Sequence, residues 1–327
     1  MLPRIDWILK YADLSGKGIE IAPYFNPAVA KRDGHDVLIM DMLNTEKLRS
    51  RALDDPRIPD TRIEEIENVD LVGDASRLGE VIAKAGLQGK IDYIVSSHNF
   101  EHLPNPILFL QGAYDALAPG GVLSMAVPDC RAIFDHFRLP SRLSDWLAAY
   151  HEDRRQPSPE TLFDGGAHKS MFIHDGQAQP GCDLKTGDPA AFEPNRRLVQ
   201  VYEDYKARKA QPSEYRDAHC NVFFPETLEL MLRDLRKLNL VGFDILEISE
   251  TQGLEFFVHL RKPETPREIP DEAFYAHRHD LLVKMSRNLG AAPYGIAPWD
   301  IRKRKIARWL KSLRSRVKNR LKEIKSG

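Results

Sequence analysis

The stretch Gly18-Ile19-Glu20-Ile21-Ala22-Pro23-Tyr24-Phe25-Asn26-Pro27 opens as an apolar, β-branched run and is cut off by small residues and prolines. It predicts a buried strand that stops abruptly in a turn. The same grammar recurs at Val37 to Met42, Val69 to Val72, Ile91 to Ser96 and Val122 to Val127, with amphipathic stretches in most of the intervals. Strands alternating with helical patterns predict parallel pairing through crossover helices. Between Ile107 and Leu117 the apolar residues fall at helical spacing, and Pro119-Gly120-Gly121 punctuates the return to a strand.

The pattern breaks over residues 140–217, which are rich in Pro, Gly and charge and read as an insertion or lid. It resumes with a helix over Pro225 to Leu238 and strands over Phe243 to Ile248 and Phe256 to Leu260. Two strands so close in sequence must pair antiparallel, because a parallel crossover needs a dozen or more residues. The division expected is a domain of residues 1–139 and 218–262, an insertion or acceptor lid over 140–217, a linker region over 263–301 and a basic helix over 302–327.

At 327 residues, 42% hydrophobic and 29% charged, the chain has enough material for a large core and too much apolar content for disorder. No apolar stretch reaches the roughly 18 residues that cross a bilayer, and Arg4, Asp6 and Lys10 interrupt the N-terminal apolar residues where a signal peptide needs an unbroken run. Three cysteines, Cys130, Cys182 and Cys220, without a C-x-x-C pair, fit a reducing cytoplasm. The net charge of −1 conceals an asymmetry: residues 302–325 carry twelve Lys or Arg against Glu323, which is +11 and leaves −12 for the rest. Within that tail Ile306, Leu310, Leu313, Val317, Leu321 and Ile324 recur at helical spacing, so it suits either an anionic membrane face or the protein's own acidic body. No nucleic acid partner is expected, since the body is acidic.

Ligands in open α/β sheets bind beyond the carboxyl ends of the strands. The first strand ends in the small residues after Glu20, whose carboxylate suits either a cationic amine or the ordering of the loop. The second ends at Asp41, where a carboxylate can accept both hydrogen bonds of a ribose diol. The third ends at Gly73-Asp74-Ala75, and the fourth at Ser97-His98-Asn99-Phe100-Glu101-His102. His98-x-x-Glu101-His102 matches a zinc-peptidase pattern literally, but that chemistry needs a helix and this motif leaves a strand and meets Pro104. His168, His174, Asp175, Cys182 and Asp183 in the insertion follow no ligand spacing, and no metal is expected.

With these residues in view, the sequence resembles the class I S-adenosylmethionine-dependent methyltransferases. More narrowly it resembles bacterial methyltransferase-domain proteins associated with surface-polysaccharide assembly. The resemblance rests on the segments at 18–27 and 97–102, on Leu117-Ala118-Pro119-Gly120-Gly121, on Val127-Pro128-Asp129-Cys130-Arg131 with Phe134-Asp135, and on His219-Cys220-Asn221-Val222-Phe223-Phe224-Pro225. It covers roughly residues 16 to 262. It implies a Rossmann-like, doubly wound, mostly parallel seven-stranded sheet with the last strand antiparallel, here carrying an insertion and a basic C-terminal helix.

The resemblance further implies S-adenosyl-L-methionine as cofactor. Glu20, Ala22, Pro23 and Asn26 would face its methionine part, Asp41 its ribose, Asp74 and Ala75 its adenine, and Ser97 and His98 the edge near the sulfonium. Family members usually have glycine where Ala22 stands. The activity expected is O-methylation of a sugar or glycolipid in surface-polysaccharide assembly, with His98, His102, Asp129 and His219 as candidate bases and His98 or His219 favoured. Two rivals are a non-catalytic adaptor on the same fold, held at the membrane by the tail, and a nucleotide-dependent oxidoreductase. The second would need a G-x-G-x-x-G turn after the first strand, and the sequence has none there.

Overall fold

The computed structural model describes residues 2–290 apart from 57, 189–190, 211–214 and 266–267; the basic segment 302–327 lies outside the described residues. In chain order the helices are α1 (Arg4–Ile8), α2 (Thr45–Leu53), α3 (Asp60–Ile63), α4 (Leu78–Ala85), α5 (Pro106–Ala116), α6 (Leu143–His151), α7 (Pro159–Ala167), α8 (Leu198–Ala210), α9 (Pro225–Lys237) and α10 (Asp271–Gly290). The strands are β1 (Gly18–Ile21), β2 (Val37–Asp41), β3 (Leu71–Val72), β4 (Ile91–Ser97), β5 (Leu117–Pro128), β6 (Ser170–His174), β7 (Gln177–Gln179), β8 (Phe192–Pro194), β9 (Asp244–Ile248) and β10 (Glu255–Arg261).

Seven strands form one sheet in the order β3-β2-β1-β4-β5-β10-β9. The first five pair in parallel, and β10 runs antiparallel to both neighbours. This is the Rossmann-like, mostly parallel seven-stranded sheet that the resemblance implies. The order reverses between β1 and β4, so the carboxyl ends of β1, β2 and β4 open onto a shared crevice.

Alternation along the strands sorts side chains between two layers. Ile19, Ile21, Ile94, Leu123, Met125 and Val127 pack with α4, α5, α6 and α9 in the main core. Tyr93, Val95, Ala126 and Phe257 turn to the other face, where Ile8 of α1 meets them and Trp7 stacks on Phe257 with ring centroids 5.7 Å apart. Asn105 caps α5 by accepting the Leu108 amide, and Pro106 occupies the first turn, where no amide is needed.

Residues 140–217 carry α6, α7, α8 and a three-stranded sheet in the order β7-β6-β8. Helix α6 is anchored in the main core by Trp146, which is 1% exposed. Helix α10 lies within the stretch 263–301 expected as a linker region. It docks on α9 through polar pairs, His277 with Glu229 at 3.0 Å and Asn288 with Glu226 at 2.8 Å, around the buried Leu281. A helix held largely by polar contacts leaves no wide apolar stripe to read. No described helix is long and apolar enough to cross a membrane.

Candidate active site

A cavity of about 540 Å³ lies over the carboxyl ends of β1, β2 and β4, bordered by Ala22, Asp41, Asp74, Ala75, His98 and Tyr215 among others. Asp41 follows the last buried pair of β2, and its Oδ1 accepts the Leu43 amide at 2.9 Å. Burial raises its pKa above the usual carboxylate value, against the pull of the neighbouring amides. Asp74 accepts the Ser76 amide at 2.8 Å and so starts the short 3-10 turn Ala75–Arg77. Each turn aims a carboxylate at the cavity while fixing its orientation through one oxygen.

The loop after β1 is built around Glu20. Its side chain turns inward at 2% exposure, and its two oxygens accept the Ala28 amide at 2.7 Å and the Val29 amide at 2.9 Å. Of its two sequence-level roles, ordering the loop is the one the geometry gives it. Burial pushes its pKa up to about 7, although both amides pull the other way. Ala22 borders the cavity with a left-handed backbone, φ +49°, as do Tyr24 (φ +53°) and His98 (φ +49°). Left-handed geometry explains why glycine suits the Ala22 position: an L side chain there costs about 1 to 2 kcal/mol.

Glu20, Pro23, Asn26 and Ser97 do not border the cavity. Pro23 accepts the Asn26 amide at 3.0 Å in the loop turn, and Asn26 accepts a hydrogen bond from Arg62 at 3.3 Å. Ser97 Oγ accepts one from Arg4 of α1 at 2.7 Å, and the same guanidinium donates to Glu255 of β10 at 2.7 Å.

His98 also belongs to this cluster. Its Nε2 lies 2.8 Å from Glu255 and its Nδ1 3.5 Å from Glu101. Burial opposes charge on the ring, but the two carboxylates outweigh it and push its pKa up to about 9. Near neutral pH His98 is therefore an imidazolium, which has no lone pair with which to take a proton. Asp129 is withdrawn in another way. It is fully buried, receives Arg131 through the backbone amide and the guanidinium, and accepts the Thr251 hydroxyl at 2.5 Å. It borders neither this cavity nor the next.

The second cavity, about 530 Å³, lies between the segment after β5 (Phe134, Asp135, Arg138), helices α7 and α8, and residues 216–219. His102 and Asp217 border both cavities. His219 faces the second one and meets His102 edge to face at 4.7 Å between ring centroids. His219 Nδ1 lies 2.5 Å from Asp135, and His102 Nδ1 lies 2.9 Å from Asp217. Both carboxylates are held below their usual pKa, Asp135 against its own burial and Asp217 chiefly by His102. A carboxylate only accepts, so in each ring Nδ1 carries the proton and Nε2 is left for other work.

Of the four candidate bases, His102 and His219 come together, His98 borders the first cavity with His102, and Asp129 borders neither cavity. Asp217, Glu255 and Arg4 were not singled out by sequence reading. Their partners lie more than ninety residues away, and no local pattern announces them. In the lid, His168 pairs with Asp164 at 2.8 Å, His174 with Asp175 at 3.5 Å, and Cys182 is buried with Phe172 and Phe192.

Residues 13–172 match a family described as a methyltransferase domain. The match spans just under half of the chain. Solved structures similar to the chain include the PH0226 protein of Pyrococcus horikoshii, at 14% identity over 81% of this chain and 90% of that one with a TM-score of 0.38. An S-adenosylmethionine-dependent methyltransferase of Mesorhizobium loti follows, at 14% identity over 79% and 97% with a TM-score of 0.39. Another, of Aquifex aeolicus, has 11% identity over 78% and 92% with a TM-score of 0.35. No curated protein matches the sequence.

The first cavity fits an adenosyl cofactor on its own chemistry. Its volume suits a nucleoside with an amino-acid arm, Asp41 and Asp74 offer carboxylates at two strand ends, and Ile21, Met40 and Leu103 supply apolar wall. Asp41→Ala is expected to weaken S-adenosylhomocysteine binding roughly tenfold or more in calorimetry, as loss of a charged hydrogen-bonding group implies; unchanged affinity would remove Asp41 from the site.

Glu20 gives a pH signature. A raised carboxyl pKa stabilises the fold fully below the ordinary value, and that contribution is lost as pH rises through about 7. Glu20→Gln has no charge to desolvate, so its stability deficit against the parent should shrink between pH 5 and pH 8. Urea unfolding at both values measures this, and a deficit that grows with pH contradicts it.

Proposed function

We propose that the protein transfers a methyl group from S-adenosylmethionine to a hydroxyl oxygen of a sugar or glycolipid acceptor in surface-polysaccharide assembly. The observation that carries this reading is the meeting of two cavities at one wall, His102 with Asp217, with His219 beside it. When bound, the cofactor supplies a methyl group on a sulfonium, and its transfer is an in-line displacement that rewards alignment above all.

The chain's own residues divide the remaining work. Asp41, Asp74 and the loop held by Glu20 position the adenosyl side. The second cavity offers Phe134, Phe163 and Tyr205 as flat apolar surfaces and Lys169 and Arg216 as donors, a mixture suited to a polar ring. Its five lining Lys and Arg exceed its three Asp, which favours an acceptor bearing phosphate or carboxylate. At the junction, Asp135 holds His219 with Nε2 free to receive a hydroxyl proton.

Incubation with labelled S-adenosylmethionine and an extract of lipid-linked glycans should place the label in the glycan fraction as a base-stable ether. Label on nitrogen or on protein, with none in glycan, overturns the acceptor class. His219→Ala should lower the turnover rate roughly a hundredfold, the scale of one lost acid-base group, while leaving S-adenosylhomocysteine affinity unchanged.

In the same reading, residues 302–327 rest on an anionic membrane face, where a lipid-linked acceptor is presented. Sedimentation with anionic vesicles should fall sharply when that segment is removed. Equal sedimentation with and without it ends the membrane part of the reading.

A further inference from the structure

We propose that Glu101, His102 and His219 together bind a divalent transition-metal ion at the junction of the two cavities. The ion's role toward an acceptor hydroxyl rests on the function proposed above; the binding itself does not.

Glu101 carries the argument. Its side chain is 1% exposed, and neither carboxylate oxygen has a hydrogen-bond partner. Its nearest cationic atoms are His98 Nδ1 at 3.5 Å and His102 Nε2 at 4.0 Å. The His98 imidazolium at 3.5 Å is shared with Glu255, so it offsets only part of the several kcal/mol that a buried carboxylate without hydrogen bonds costs. Every other carboxylate buried around these strand ends is saturated: Glu20 by two amides, Asp129 by Arg131 and Thr251, Asp135 by His219 and Arg138, Glu255 by Arg4 and His98.

The imidazoles complete the set. Each commits Nδ1 to a carboxylate, the outer contact that orients a metal-binding histidine and makes its other nitrogen a better donor. One ligand atom from each of Glu101, His102 and His219 lies within 4.8 Å of the other two. An ion held at about 2.1 Å from each needs spacings of about 3 to 4 Å, so rotation of the side chains by an ångström or so closes the site. Two imidazoles and one carboxylate suit zinc, cobalt or manganese over magnesium or calcium, and three protein ligands leave positions open to both cavities. The literal zinc-peptidase pattern names the wrong histidine. His98 gives Nε2 to Glu255 and pairs Nδ1 with Glu101 at 3.5 Å, and the second imidazole of the candidate site is His219, more than a hundred residues later.

An ion here would act on an acceptor hydroxyl by ligating its oxygen and easing release of its proton to water in the lid cavity. His219 would then act through the ion rather than take the proton itself.

The test uses the full chain, stripped with a chelator and titrated with Co²⁺ and with Zn²⁺. One equivalent should bind, and Co²⁺ should show visible bands of a nitrogen- and oxygen-ligated ion. Glu101→Gln and His219→Asn should each weaken Zn²⁺ binding roughly a hundredfold, and Asp135→Asn roughly tenfold through the ring it orients. Circular dichroism and S-adenosylhomocysteine affinity establish that each variant is folded. Absence of stoichiometric binding, or equal affinity in all three folded variants, overturns the site. Full methylation of glycans in the presence of chelator overturns the ion's catalytic role and leaves the proposed function standing. Tight, variant-sensitive binding in a protein that methylates no glycan does the reverse.

Discussion

The buried amide of Asn221 ties together the three parts that make the site. Its Oδ1 accepts the Trp146 indole at 2.7 Å, its Nδ2 donates to the Leu103 carbonyl at 2.8 Å, and its backbone amide donates to the Glu101 carbonyl at 3.0 Å. Those partners lie on the first helix of the lid and on the turn after β4. Phe100 fills the space between, stacked on Phe223 at 5.8 Å and edge-on to Trp146 at 5.6 Å. A fully satisfied polar group within an aromatic nest fixes geometry as well as energy, because a shift of any partner strands a buried donor or acceptor. His219, two residues before Asn221, is thereby delivered against His102, and the two cavities acquire their common wall.

Electrostatics around the strand ends follow from the same crowding. Five carboxylates, Glu20, Glu101, Asp129, Asp135 and Glu255, are almost completely buried there. Three, Asp129, Asp135 and Glu255, are paired with dedicated cations, and Glu20 accepts two amides that only partly offset its burial. The cations drawn in are thereby spent: His98 and Arg4 belong to Glu255, and Arg138 bridges Asp135 and Asp164. A histidine held as imidazolium by two carboxylates is well placed to fix the tip of β4 and badly placed to accept a proton. Proximity to the reaction centre does not by itself make a base; the ring must keep a lone pair.

The sheet was legible because its strands are buried on both faces and so read as unbroken apolar runs, with ends marked by Asp41, Asp74 and the prolines after Ala22. The same local logic placed Asp41 and Asp74 at strand ends, where they border the first cavity. It reached Glu20 but left two roles open, since the choice turns on whether the Ala28 and Val29 amides come back over the side chain. Pairings between distant segments were beyond it. Nothing near His219 in sequence shows that Asp135 and His102 flank it, and nothing near His98 shows that Glu255 neutralises it. Helix α10 escaped because polar contacts to α9 hold much of it in place of an apolar stripe.

The left-handed residues at the rim connect these points to binding. Ala22, Tyr24 and His98 each adopt a backbone that favours glycine, and each costs on the order of 1 to 2 kcal/mol relative to a relaxed turn. The sheet sustains this strain: the Ala22 amide donates to Met40 at 2.8 Å, the His98 amide donates to Ala126 at 3.0 Å, and the His98 ring is pinned by Glu255. A rim held by ladder hydrogen bonds and a buried ion pair is ordered before any ligand arrives, so little of the binding energy is consumed in ordering it. The second cavity shares only His102 and Asp217 with the lining of the first, so the tied rim bears on it through those two side chains.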